Sequence, residues 1–245
     1  MNMALGKYGQ AASAVVVHGD KIGLVGIKLG ILTLGNDFEN IVVEGPNVSV
    51  SGKTNWGTPT SYSPRSAAVS PDGKWIYLAG YIGKYFVQKI AFQKDGVMEL
   101  FAGKADGSRG QGDKEFDGVA SVACDAAGRV YVADYCNDRI QVFSDKGEFL
   151  KSIKTPSPNL IQIDPNNGDI YVSSWLALYS DNAKDGPATP ELYHLGNFDN
   201  PEVKNKIALP FIDYSKGVFM NHWNWTIFNV NIDFFEKQPD RKSVV

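Results

Sequence analysis

Ser121-Val-Ala-Cys-Asp-Ala-Ala-Gly-Arg-Val-Tyr-Val-Ala-Asp-Tyr-Cys-Asn-Asp-Arg-Ile-Gln-Val-Phe143 is the stretch that decides how this chain folds. A short run of apolar and small residues reaches Cys124, and Asp125 to Gly128 then supplies the acceptor side chain and the glycine of a tight turn. A second run, Val130 to Ala133, follows at once, then a polar corner and a third run, Ile140 to Phe143. Strands joined this way pair antiparallel into a sheet with two apolar faces. One such sheet cannot bury both faces alone, so it predicts an array of like units.

Working outward, the strand-turn-strand unit recurs. Ser66 to Tyr81 repeats it around Pro71-Asp-Gly73, with one extra residue after the turn, and Leu160 to Trp175 repeats it around Pro165-Asn-Asn-Gly168. Weaker copies run from Ala14 to Val25 and from Phe211 to Trp223. Anchored on Val17, Ser70, Asp125, Asp164 and Asp213, the spacings are 53, 55, 39 and 49 residues, the period of propeller blades. Outer strands are expected at Gly30–Leu34, Asn40–Glu44, Tyr85–Phe92, Met98–Ala102, Ile140–Phe143, Phe149–Ile153, Glu191–Leu195 and Thr226–Phe234.

The order of the central unit, down to its Asp134-x-x-Asn137-x-Arg139-Ile140 corner, resembles the NHL repeat. The likeness covers about Pro64 to Trp175. It implies an all-β chain, a β-propeller with about five blades visible, in a family whose rings usually have six. Blades are expected near 13–46, 64–103, 118–154, 158–209 and 210–235, followed by a polar tail, 236–245. An incomplete ring would leave apolar inter-blade faces open. Completion by missing sequence or by another chain is therefore expected, with a five-bladed ring as the alternative. In that alternative Asn2 to Tyr8 would add the outer strand that the last blade lacks.

Composition bounds the function. A formal charge of −3 and a pI near 5.6 argue against a broad nucleic-acid footprint, although the resemblance includes some RNA-binding domains. The most apolar stretch, Ala11 to Leu34, is broken by His18, Asp20, Lys21 and Lys28, so no membrane span is expected. Nothing after Met1 reads as a signal peptide, and the compartment is left open. If the turn centres on Ala127, Cys124 faces Val130 and lies too far from Cys136 for a disulfide.

Alternating strand direction sorts the connections onto two faces, with tight turns on one and long loops on the other. The loop-rich face is where propeller scaffolds carry function. There the residue just past each second strand is Tyr81, Tyr135 and Trp175, with Trp223 in the weak copy. These rings either stack on a flat ligand or pack sideways between blades. Asp134 and Arg139 are read as a pair across the corner loop, close enough to the rings to orient a ligand. The candidate ligand-binding set is therefore Tyr81, Tyr135, Trp175, Asp134 and Arg139.

No catalytic residue and no metal site is expected. The resemblance brings to mind a zinc-dependent lyase, but His18, His194 and His222 fall on different faces and at different depths. Zinc ligands must converge to about 2 Å from one point. The carboxylate-rich loop from Asp106 to Asp117 has oxygen donors for Ca²⁺, but Arg109 and Lys114 oppose a cation, and a plain inter-blade loop is preferred. The expectation is a non-catalytic binding module or scaffold for protein or glycan. The alternative is a propeller enzyme, a lyase or lactone-type hydrolase, with a metal-centred channel site.

Overall fold

Turn chemistry places the strands. In the computed structural model, which describes residues 14–25, 28–34, 41–49, 64–81, 83–93, 96–175 and 190–209, the Asp125 carboxylate organises the central turn. One of its oxygens accepts from the backbone N–H of Ala127 (3.0 Å) and Arg129 (2.9 Å). Gly128 adopts φ +83°, a region that strains other L residues. The second oxygen accepts from Arg129 Nε (2.6 Å) and the buried Tyr131 hydroxyl (2.9 Å). In the preceding repeat Ser70 donates its hydroxyl to Asp72 (2.6 Å) and accepts from the Trp75 N–H (2.9 Å). That hydroxyl, with the Lys74 N–H and ammonium, holds the Asp72 carboxyl down at about 2.

Four antiparallel sheets result, each of four strands in simple chain order. Blade 1 holds β1 (Ala14–His18), β2 (Lys21–Val25), β3 (Lys28–Leu34) and β4 (Ile41–Ser49). Blade 2 holds β5 (Ser66–Val69), β6 (Trp75–Ala79), β7 (Phe86–Ala91) and β8 (Met98–Gly103). Blade 3 holds β9 (Val119–Cys124), β10 (Val130–Asp134), β11 (Arg139–Phe143) and β12 (Phe149–Lys154). Blade 4 holds β13 (Pro158–Ile163), β14 (Ile170–Ser174), β15 (Glu191–Leu195) and β16 (Val203–Ala208). Among the described residues the sole helical piece is one 3₁₀ turn, Tyr135–Asn137. None of their helices is long and apolar enough to cross a membrane.

The innermost strands meet in sequence, β1 on β5, β5 on β9 and β9 on β13. This sets the blades face to face. In β6, Tyr77 and Ala79 look forward onto blade 3 while Ile76 and Leu78 look back onto blade 1. In β10, Tyr131 and Ala133 look forward onto blade 4 while Val130 and Val132 look back onto blade 2. Because both faces are covered, all five residues of β10 are buried. Burying each large apolar side chain contributes about 1.5–3 kcal/mol, and the cores lie in the three seams between blades.

The strand registers follow the expected hairpins. Cys124 lies opposite Val130, and both cysteines are free thiols. The strand expected at Glu191–Leu195 is β15. β16 was not anticipated as a strand, because Val-Lys-Asn-Lys-Ile-Ala has little apolar signal and all six of its residues are exposed. The weakest repeat copy, from Phe211 onward, and the segment Asn2 to Tyr8 lie outside the described residues. Among the described residues, the turns between first and second strands and the connections 144–148 and 196–202 between third and fourth strands lie on one face. The connections 104–118 and 155–157 lie on the opposite, loop-rich face.

Candidate functional site

The corner at the end of β10 is the most heavily bonded place on the loop-rich face. Asp134 is 0 % exposed. Its carboxylate accepts from four groups: the Asp117 N–H (2.8 Å), the Asn137 amide (2.9 Å), Arg139 Nε (2.8 Å) and Gln141 Nε2 (3.3 Å). Burial nonetheless pushes its carboxyl up from the ordinary range, against the opposite pull of those donors. The expected Asp134–Arg139 pair is thus present as a charge-assisted hydrogen bond.

The donors on Asp134 have second tasks. The Asn137 amide donates to the Gly110 carbonyl (2.9 Å). Arg139 Nη2 donates to the carbonyls of Gly112 (2.8 Å) and Glu115 (3.1 Å). The Gln141 side chain donates to Glu115 O (2.6 Å) and accepts from the Lys114 N–H (2.9 Å). The incoming loop, 104–118, is therefore stitched to the blade it leads into. Asp138, at φ +51°, ties down the outgoing connection as well: its carboxylate accepts from the Ser157 N–H (2.8 Å) and its carbonyl from the Thr155 N–H (3.0 Å).

Several charges of the loop are matched locally. Glu115 accepts from the Gly112 N–H (3.2 Å) and pairs with Lys104 (3.2 Å), which together draw its carboxyl below the usual range. Asp106 accepts from the Ser108 N–H (2.9 Å). Arg109 faces Asp117 (3.6 Å) and lies over the Tyr85 ring, 5.1 Å from its centroid. Asp106, Glu115 and Asp117, three of the four carboxylates weighed for Ca²⁺, thus turn to separate partners. No group of three His, Cys, Asp or Glu among the described residues is placed to hold a metal. His18 sits on the tight-turn face, donating Nε2 to the Pro71 carbonyl (3.1 Å). His194 belongs to blade 4, where it meets Asp169 (2.7 Å) and stacks on Tyr171 with ring centroids 4.5 Å apart. His222 lies outside the described residues.

The three aromatic candidates are not brought together. Tyr81 is 3 % exposed and packs in the seam between blades 1 and 2, whereas Tyr135 is 0 % exposed and packs between blades 3 and 4. One repeat position thus points two ways, and the residue before it explains why. Gly80 takes φ +78°, while Asp134 in the matching place takes φ −101°. That difference turns the following ring onto the opposite face of its blade. Trp175 is half-buried and retains part of its surface on the loop-rich side. Gln141 escaped the sequence reading, yet it left a signal: a lone amide inside Ile140-Gln-Val-Phe143, where both faces of the strand are buried.

Face-to-face four-stranded blades with touching inner strands define a β-propeller type of fold. Within it, residues 116–143 match the family model of the NHL repeat, so the third blade is an NHL repeat. Curated proteins give no match. Among solved structures, a luciferin-regenerating enzyme is similar at 15% identity, with 77% of this chain and 62% of that one covered and a TM-score of 0.49. A gluconolactonase from Xanthomonas campestris is 14% identical over 64% of this chain and 52% of its own, with a TM-score of 0.45. A nidogen/laminin complex is 15% identical over 77% and 60%, with a TM-score of 0.46. The chain spans about half to three-fifths of the length of these three structures.

Proposed function

We propose that this chain is a binding module or scaffold that presents its loop-rich face to a protein or a glycan and carries out no chemistry of its own. What supports this is the use made of Asp134. A general acid, a general base or a metal ligand needs a lone pair or proton available to a substrate or ion. The Asp134 oxygens are taken up by four donors that hold the 104–118 loop in place. A loop held this way is a pre-organised surface, and rigidity before binding reduces the entropy lost on association. Its outward side offers Ser108, Gln111, Asp113 and Lys114, all exposed.

In this reading Trp175 supplies the stacking surface, because its ring is amphipathic and keeps part of its area in solvent. Tyr81 and Tyr135 support the rim from within the seams, and Asp134 with Arg139 fixes the 104–118 loop on blade 3. The test is a titration of the purified chain with a panel of defined oligosaccharides and immobilised peptides, before and after Trp175→Ala. Binding should weaken by about 1–3 kcal/mol, roughly 5- to 150-fold. In parallel, sugar lactones are incubated with the protein and Zn²⁺ or Ca²⁺. Metal-dependent hydrolysis that scales with protein concentration would replace this reading with the hydrolase alternative.

A further inference from the structure

The turn between β13 and β14 carries the one Asn-Gly pair in the 245-residue sequence, Asn167-Gly168. It lies on the tight-turn face, away from the 104–118 loop, and Asn167 is exposed. The Asn167 side chain is bent forward over the peptide bond that follows it, because its Oδ1 accepts from the Asp169 N–H (2.8 Å), two residues on. That bond turns the amide carbon Cγ towards the Gly168 nitrogen and polarises the amide carbonyl. It also holds a donor at the oxygen on which charge builds when that nitrogen attacks.

Gly168 leaves the approach open. It has no side chain, and it adopts φ +77°, a conformation that its missing Cβ permits. Its N–H donates to the Asp164 carbonyl (2.9 Å). That bond lies in the peptide plane, whereas attack uses the face of the peptide. Two other places lack one requirement each. Asn197 is bent forward in the same way, with Oδ1 accepting from the Asp199 N–H (3.2 Å) and the Asn200 N–H (3.3 Å). Its next residue, however, is Phe198, whose side chain crowds the nitrogen and is held by Arg129 and Lys151 at 4.0 and 4.1 Å from the ring centroid. Asp72 precedes Gly73, but Ser70 and Lys74 hold its carboxyl down at about 2, and an ionised carboxylate resists attack.

We propose that Asn167 is a modification site, an amide that this turn converts to isoaspartate. The Gly168 nitrogen loses its proton to solvent and bonds to Asn167 Cγ, while the Cγ–Nδ2 bond breaks. Ammonia leaves, taking a proton back from solvent, and a cyclic succinimide remains. Water then opens the ring. Addition at Cγ gives aspartate, whereas addition at the main-chain carbonyl gives isoaspartate, in which the chain runs through Cγ and the α-carboxylate is free. Either product adds a negative charge to the turn face of blade 4. The isoaspartyl form is the group that isoaspartate-specific carboxyl methyltransferases take as substrate. The proposal does not depend on what the loop-rich face binds.

The full chain is aged in warm, mildly alkaline buffer, natively and in urea, and its peptides are mapped by electron-transfer fragmentation. An isoaspartate-specific carboxyl methyltransferase with labelled S-adenosylmethionine is the second probe, read on the tryptic peptide 155–184. Asn167 should convert in the native protein while Asn159, Asn166 and Asn197 stay amides, and the peptide should accept methyl groups in step. Asn167→Gln should remove that methyl acceptance and leave the unfolding midpoint unchanged, because the longer side chain closes its ring far more slowly and the position is exposed. An Asn167 that stays intact in the native protein overturns the proposal, and conversion in urea alone would show that the fold protects it. Conversion of Asn197 at the rate of Asn167 overturns it as well, because the glycine would then not select the site.

Discussion

Asp134→Ala should be among the most damaging single changes in the described part of this chain. The substitution leaves the Arg139 guanidinium, whose side chain is 16 % exposed, without its counter-ion. It also orphans the Asp117 N–H and one bond from each of the Asn137 and Gln141 amides. Removing one partner of a buried ion pair costs about 3–5 kcal/mol. Partial exposure of Arg139 places the loss near the lower end, about 3 kcal/mol. Arg139→Met leaves the carboxylate buried with fewer donors and should cost a similar amount. The double variant should be milder than the sum by about 1–3 kcal/mol, since neither charge is then stranded. Denaturant midpoints measure all three. Trypsin reports on the loop directly, because Arg109 and Lys114 lie in the stretch that Asp134 anchors. Both sites should resist cleavage in the parent and be cut rapidly in Asp134→Ala. A loss below about 1 kcal/mol with an uncut loop, or strict additivity of the two singles, would refute the account of the corner.

The remaining expectations concern the turn-side face and the outer strands. Gly73 adopts φ +68°, and a Cβ there would run into the His18 ring, so Gly73→Ala should destabilise by about 1–2 kcal/mol from backbone strain alone. Part of any further loss should return in a His18→Ala background, as a double-mutant cycle of unfolding midpoints will show. Burial raises the Asp169 carboxyl but Lys204 and His194 outweigh it, so its folded value lies below the ordinary 3.8. Its contribution to stability is therefore present above that value and lost as pH falls below it. The acid limb of stability against pH should flatten in Asp169→Asn. Burial, helped by Asp125, pushes the Cys124 thiol up to about 12. Iodoacetamide at pH 8 should therefore alkylate Cys136 well before Cys124 in the native protein, as peptide masses will show.

What was legible in the sequence was the chemistry confined to one hairpin. Asp125, Gly128 and the alternation on either side act within ten residues, and they locate β9 and β10. The Asp134–Arg139 pair spans five residues and was equally open to reading. The further partners of Asp134 and its donors lie 17 to 27 residues away on the preceding loop, a distance at which no local pattern speaks. The aromatic candidates failed to converge for a different reason. A repeat position predicts the height of a ring along its blade but not the side it faces, and Gly80 in place of Asp134 reverses that side. β16 was invisible because an edge strand with six exposed residues is chosen by the backbone donors of β15 rather than by its own apolar content.

The loop that leaves blade 2 is fastened to blade 3, so the unit that would travel intact in a graft is offset from the sheet. The NHL match has the same offset, running from Phe116 in the loop to Phe143 at the end of β11 rather than from β9 to β12. Anyone transplanting blade 3 into another scaffold should cut before Lys104, not at Val119. A donor module trimmed to the strands would keep Asn137, Arg139 and Gln141 on Asp134 but lose the loop carbonyls of Gly110, Gly112 and Glu115 that take their remaining bonds, and with them whatever held its own entrance shut.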